Sequence, residues 1–369
     1  MYTDRHKKIL SHLSGRGIDG LIVNAGPSLT YFTGLHFHLS ERPVVFILAT
    51  GRTPLIILPE LERLKLDGCR FPVDSFTYPD NPDTWPERFR KAGAHLDMNH
   101  KRFGIEPGQL RLLEYNLITR GDATLVLEDG SPEISKCRAI KDGSEIAKME
   151  RAVSIAQDSL TATLPIIKPG ATEQEIGAEL VIQLLRHGSA PNLPFSPIVS
   201  SGPNGANPHA KPSQRRLESG DLLIIDWGAT WQDYTSDLTR TFAVGPVSEE
   251  AKRIHELVLR ANEAGRNTVA PGVACGEVDR AARSVITQAG YGERFRHRTG
   301  HGLGMECHEE PYIHGANRQP LETGMTFTVE PGIYFEGEFG VRIEDDVVVT
   351  EDGGRSLSNI SRSLINVCV

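Results

Sequence analysis

Over the first 135 residues, stretches of helical period alternate with short apolar runs. The period of 3.6 predicts helices near Asp4–Leu13, near Trp85–Ala92 and from Gln109 onward. Runs at Gly20–Val23, Val44–Leu48, Leu55–Leu58, Phe103–Glu106 and Thr124–Leu127 read as strands. This alternation is that of an α/β domain. The stretch Glu128-Asp-Gly-Ser-Pro132 carries turn residues and is expected to connect to a second domain, giving boundaries of 1–135 and 136–369. A helix is then predicted from Asp142-x-x-Glu145, where Asp142 is the cap, toward Leu160.

The second part of the chain repeats itself. Pro169 to Gly188 aligns without gaps on Pro271 to Gly290, at an offset of 102 residues. Ile176, Leu180 and Leu184 then fall on Val278, Ala282 and Ile286, the i, i+4, i+8 stripe of an amphipathic helix. The first copy opens with a capping box, Thr172-x-x-Glu175; the second has Ala274 at the cap and lacks one. Ser219 to Asp226 aligns on Thr323 to Glu330 at an offset of 104, and Asp237 on Glu344 at 107. A chance likeness of two helices would rarely also align the acids.

Those acids carry the chemistry. Asp226 ends the apolar run Asp221-Leu-Leu-Ile-Ile-Asp226, and Glu330 and Glu344 close Thr326-Phe-Thr-Val-Glu330 and Val341-Arg-Ile-Glu344. Asp237 lies in Thr235-Ser-Asp237-Leu-Thr-Arg-Thr, and His301 in Thr299-Gly-His-Gly-Leu-Gly. One acid at a strand end is usually exposed or salt-bridged, and the glycine-rich context of His301 fits a flexible turn equally well. Four carboxylates on apolar strands are different, because buried unpaired charge is costly. With one imidazole they suffice for two divalent ions sharing bridging oxygens.

The order Asp226, Asp237, His301, Glu330, Glu344, at spacings of 11, 64, 29 and 14, resembles the pita-bread metallopeptidases. These comprise methionine aminopeptidase, aminopeptidase P and prolidase. Asp226-Trp-Gly-Ala, Tyr234-Thr-Ser-Asp237-Leu-Thr-Arg-Thr-Phe, His297-Arg-Thr-Gly-His301-Gly-Leu-Gly, His308-Glu-Glu-Pro-Tyr, Thr328-Val-Glu330-Pro-Gly and Gly340-Val-Arg-Ile-Glu344-Asp carry the resemblance across residues 137–369. More weakly, Tyr31-Phe-Thr-Gly34 is similar to the creatinase-type domain that precedes the catalytic domain in the proline-specific branch. The resemblance implies an α+β protein: a creatinase-type N-terminal α/β domain, then a pita-bread catalytic domain with an internal pseudo-two-fold repeat.

It also implies roles. Asp226 binds one ion, His301 and Glu330 the other, and Asp237 and Glu344 bridge. Glu330 doubles as general base, and His209 and His308 match the family's two substrate histidines, suited to the oxyanion and the leaving nitrogen. Arg342, two residues before Glu344 on a strand, pairs a ligand carboxylate or holds the substrate's terminal carboxylate; both remain open. His297 is read as supporting structure. Tyr234, Phe195 and Tyr312 are near the motifs and could wall a proline pocket. In relatives a loop of the N-terminal domain reaches the neighbouring subunit's site, so His38 or His36 is a candidate cap on the substrate in a homodimer, against the equal reading of a structural loop. Oxygen-rich coordination suits Mn²⁺, with Co²⁺ and Zn²⁺ also open.

Composition excludes more than it adds. A net charge of −8 argues against a nucleic-acid partner, and the longest apolar runs are too short to cross a membrane. The five cysteines, at 69, 137, 275, 307 and 368, suit reduced thiols in a cytoplasmic protein without a secretory signal. Cys307 beside His308 is set aside as a nucleophile–base pair, since neighbours on a strand point to opposite faces. The expectation is a dinuclear-metal peptidase that hydrolyses Xaa-Pro bonds in small proline peptides, most simply dipeptides. Its alternatives are an aminopeptidase P acting on longer peptides, a metal-dependent hydrolase of a non-peptide small molecule, and a metal-free binding module, the last opposed by retention of all five ligands.

Overall fold

The computed structural model describes residues 1–120 and 124–367, in two compact units, Met1–Arg138 and Ala139–Val369. Cys368 lies outside the described residues. Among those described, no helix is long and apolar enough to cross a membrane.

The N-terminal unit is a six-stranded mixed sheet. Its order is Asp74–Tyr78, Leu55–Pro59, Val45–Ala49, Gly20–Asn24, Arg102–Ile105 and Val126–Asp129. Helices Tyr2–Ser14, Trp85–His95 and Leu112–Thr119 accompany it, and the three central apolar runs are buried along their whole length. Helix Pro27–Thr33, strand Asp74–Tyr78 and the short 3-10 segments Glu60–Gly68 and Pro82–Thr84 were not expected. Helix Pro27–Thr33 is one short segment, too brief for periodicity to reveal, although Pro27 in its first turn and Gly34 beyond its end (φ 72°) are its punctuation. Strand Asp74–Tyr78 is an edge strand with only partial burial, so no apolar run marks it.

The expected connection at 128–132 is a correction. Glu128 and Asp129 finish a strand, and Ser131–Ala139 is a helix with Pro132 in its first turn, where a missing N–H does no harm. The two compact units divide after Arg138.

The C-terminal unit displays the repeat. Helices Gly143–Thr163 and Glu173–Arg186 of the first half correspond to Glu249–Thr268 and Cys275–Gln288 of the second. The capping box at Thr172 forms, with Glu175 Oε2 accepting from the Thr172 N–H at 2.7 Å, whereas Ala274 makes no side-chain cap. Gly170 (φ 91°) and Gly272 (φ 83°) turn the chain at equivalent points, and their N–H groups donate to the equivalent carbonyls of Leu217 and Leu321. Both helical stripes are fully buried. Each of the Val, Leu and Ile side chains among them contributes roughly 1.5–3 kcal/mol over exposure.

Each half carries one main sheet. The first runs Ile365–Asn366, Leu238–Ala243, Leu222–Trp227, Ile198–Ser201; the second runs Glu309–Ile313, Gly300–Gly302, Thr326–Val329, Asp345–Thr350, Gly353–Ser356. On Leu222–Trp227 the alternate residues Leu223, Ile225 and Trp227 enter the core with Ile176 and Leu180. Asp226 therefore points to the other face. The halves meet where Thr239 and Glu344 pair as an isolated antiparallel bridge.

Candidate metal centre

Each acid reaches the centre by a local device. Asp226 is on its strand's inner face, and Asp237 follows a hairpin turned at Gln232 and Asp233 (φ 46° and 71°). The backbone N–H of Asp237 donates to Asp346 Oδ2 at 3.1 Å, which fixes its direction. Glu330 and Glu344 leave the ends of Thr326–Val329 and Phe339–Arg342. His301 is the middle residue of a central strand, not of a flexible turn. Glycine flanks it because a Cβ at Gly300 would stand 1.8 Å from Thr328 O, and one at Gly302 2.3 Å from Glu310 O.

Five of the expected residues converge. Donor atoms of Asp226, Asp237 and Glu344 lie within 4.8 Å of one another, as do those of His301, Glu330 and Glu344. A third such set joins Asp237 and His301 to His308. His301 Nε2 is 3.3 Å from Glu330 Oε1 and 3.7 Å from Asp237 Oδ2. Its Nδ1 lies 3.2 Å from the Gly302 carbonyl and so donates there, which leaves Nε2 as a bare lone pair facing the acids.

Electrostatics show what this cluster lacks. Burial, with the charges of Asp226, Asp346 and Glu330 beside it, holds Asp237 well above the usual carboxylate range. Glu344 is raised likewise by burial and by Asp237, Glu330 and Asp226. Burial pushes Glu330 up to about 8 against the opposing charge of Arg342, and lowers His301 to about 3. Among the described residues Asp226 Oδ1 is buried with no hydrogen-bond partner. Four crowded carboxylates, an orphaned oxygen and an imidazole lone pair fit two divalent cations. All the donors are oxygen or nitrogen, as Mn²⁺, Co²⁺ or Zn²⁺ accept.

Around the acids lies a second tier of side chains. Arg342 is 3% exposed. Its Nη2 donates to Asp226 Oδ2 at 2.6 Å, Nη1 to Tyr334 Oη at 3.0 Å and Nε to Thr239 Oγ1 at 3.2 Å. Thr239 in turn donates to Glu344 Oε2 at 2.5 Å. A guanidinium so committed is not free to hold a substrate carboxylate, so of the two roles expected of Arg342 the geometry favours the ligand-pairing one. His297 sits between the Arg298 carbonyl (2.8 Å from Nδ1) and Tyr334 Oη (2.9 Å from Nε2), as a supporting residue would.

His308 stacks edge-on against His301 at 4.0 Å between ring centroids and is exposed, as is His209, which lies close enough for its charge to act on His308 and His297. His38 and His36 belong to the N-terminal unit, on an exposed stretch without regular secondary structure. Of the aromatic candidates, Tyr234 is buried with Oη donating to Glu145 Oε1 at 2.5 Å, which removes it as a pocket wall. Phe195 lines an open cavity of about 650 Å³ with Leu193, Val181 and Pro212. Tyr312 pairs directly across the sheet from His301.

Strand geometry does not keep Cys307 and His308 apart. Both residues precede strand Glu309–Ile313, so strand alternation does not apply to them. Cys307 is instead occupied by Asp237, donating from Sγ to Oδ2 at 3.1 Å, and burial pushes its thiol well up, so it is a poor nucleophile. Thr239 and Tyr334 were missed altogether, and Cys307 was weighed only as a nucleophile, not as a partner of Asp237. The first two stand within the quoted motifs or next to them, but nothing local in an apolar strand or a Pro-Gly-Ile-Tyr segment marks an oxygen as a partner of a distant acid.

Residues 147–351 match metallopeptidase family M24, and residues 5–140 match the creatinase/prolidase N-terminal domain. The chain is 34% identical over 98% of its length, and 99% of the relative's, to an Xaa-Pro dipeptidase of Pyrococcus horikoshii. A crystal structure of a dipeptidase from Pyrococcus horikoshii OT3 superposes with a TM-score of 0.91 at 38% identity, covering 98% of this chain and 99% of that one. That of an X-Pro aminopeptidase from Thermotoga maritima gives 0.85 at 32% identity, over 98% and 99%.

Proposed function

The chain belongs to metallopeptidase family M24, and from that premise we propose that it is an Xaa-Pro dipeptidase that holds two divalent ions in its C-terminal unit. The observation that carries this is the grouping of Asp226, Asp237, His301, Glu330 and Glu344 into overlapping donor sets, in a chain similar over nearly its whole length to an Xaa-Pro dipeptidase. Asp237 and Glu344 each join the set that holds Asp226 to a set that holds His301, which supports bridging roles for both. When bound, the ions supply Lewis acidity to the scissile carbonyl and acidify the attacking water.

The side chains do the rest. Glu330, raised to about 8 before any cation binds, takes the water proton and passes it toward the leaving nitrogen. His308, beside His301, donates to the oxyanion that forms as the carbonyl is attacked, and His209 stands by the leaving prolyl nitrogen. Arg342 holds Asp226 in place through its 2.6 Å bond, and through Thr239 it orients Glu344. An Xaa-Pro amide has no N–H, so a site of this kind recognises the bond without that donor. The same reading carries manganese as the working ion, a cytoplasmic homodimer, and His38 as a cap on the substrate.

The aminopeptidase reading is favoured by one observation, the similarity to the Thermotoga maritima X-Pro aminopeptidase at a TM-score of 0.85. Rates on Ala-Pro and Ala-Pro-Ala with Mn²⁺ separate the two. Hydrolysis of Ala-Pro well above Ala-Pro-Ala is expected; equal rates, or a preference for the tripeptide, replace the dipeptidase by the aminopeptidase. Hydrolysis of neither, by protein that has bound two ions, overturns both. Light scattering should return twice the mass of one chain.

A further inference from the structure

A dipeptide differs from a longer peptide in one chemical feature, a carboxylate one residue beyond the bond that is cut. Entering a cluster of four acids, that carboxylate needs a cation of its own. Two arginines act on Glu330 through their charge, Arg342 and Arg298. Arg342 is buried and bound to Asp226, Tyr334 and Thr239. Arg298 is half-buried, and among the described residues its guanidinium has no carboxylate partner and no hydrogen bond.

It lies against an aromatic face instead: the guanidinium carbon is 4.2 Å from the centre of the Tyr312 ring. Stacking fixes the plane of the guanidinium while leaving its N–H edge open, which prepares an arginine for a bidentate contact with a carboxylate. Tyr312 is itself placed by the sheet, paired across from His301. The charge of Arg298 is felt at His301 and His308 as well as at Glu330, so it stands beside the reacting groups.

Resting on the dipeptidase reading, we propose that Arg298, stacked on Tyr312, binds the C-terminal carboxylate of the substrate and sets the preference for dipeptides. Successive Cα atoms are about 3.8 Å apart, so one more residue carries the carboxylate past this point and puts an uncharged amide in its place. Arg342 stays with the metal ligands.

The test uses the metal-loaded full chain and its Arg298→Gln and Arg298→Lys variants, with metal content checked for each. Calorimetry measures binding of L-proline and L-prolinamide, and kinetics compares kcat/KM on Ala-Pro and Ala-Pro-amide. The wild type should prefer the free carboxylate in both measurements. Arg298→Gln should lower kcat/KM on Ala-Pro roughly ten- to a hundred-fold, bringing the ratio to Ala-Pro-amide toward one, and Arg298→Lys should fall between. An unchanged ratio in Arg298→Gln overturns the assignment. If neither dipeptide is cleaved but proline still outbinds prolinamide only where Arg298 is present, the dipeptidase reading fails and the carboxylate site stands.

Discussion

Arg342 Nη2 donates to Asp226 Oδ2 at 2.6 Å, joining residues 116 positions apart in the chain and one in each half of the repeat. The bond leaves Asp226 with one oxygen satisfied and the other, Oδ1, without a partner among the described residues, an arrangement that presents one oxygen toward an ion. Removing the guanidinium frees Asp226 to rotate and leaves Thr239 and Tyr334 without a shared partner. Arg342→Met should reduce metal affinity or turnover ten- to a hundred-fold, the usual cost of losing a group that orients a ligand. Competition with a metal-sensitive dye checks it; wild-type affinity together with wild-type turnover would make the contact incidental.

Asp237 belongs to two of the donor sets, so its loss should affect both ions. Asp237→Ala should abolish activity and most bound metal by mass spectrometry of purified protein. Full metal content would remove Asp237 from the centre.

The acids also predict how affinity depends on pH. Glu330 is raised to about 8, and Asp237 and Glu344 are raised as well, so the metal-free cluster holds protons near pH 7. Coordination needs the carboxylates ionised, so loading must release protons and apparent affinity must rise from pH 6 to 8. Calorimetry in two buffers of different ionisation enthalpy measures the release. Binding enthalpies independent of buffer would contradict it.

His308 should act on the transition state more than on substrate binding. With its ring 4.0 Å from that of His301, it is placed to donate where negative charge develops. His308→Ala should lower kcat on the order of a hundred-fold while KM changes little and metal is retained. A change confined to KM would give the residue a ground-state binding role.

His255 makes a separate prediction about stability. Burial, aided by the charge of Arg240, lowers its pKa from 6.5 to about 4, so the folded chain keeps the ring neutral where the unfolded chain would protonate it. A lowered histidine pKa means the stability is complete above pH 6.5 and is lost as pH falls from 6.5 toward 4. The difference amounts to about 3 kcal/mol. His255→Gln should therefore have a shallower loss of stability across that window in urea titrations. Parallel curves for the two proteins would refute it.

The ligand set was legible in the sequence for a physical reason. A carboxylate at the end of an apolar run is a local contradiction, and Asp226, Glu330 and Glu344 each state it within six residues. The repeat was legible because the buried stripes at Ile176 and Val278 and the turns at Gly170 and Gly272 are local patterns too. Helix Pro27–Thr33 escaped because seven residues hold too little periodicity, and the connection at Glu128–Pro132 misled because proline in a first helical turn looks like a loop. Which arginine serves which partner was beyond the sequence altogether. Arg342 and Arg298 both lie in the motifs, and only the packed structure commits one to Asp226 and stacks the other on Tyr312. Spacing along a chain records what a segment buries, whereas a hydrogen bond between residues a hundred positions apart exists only once two halves have folded against each other.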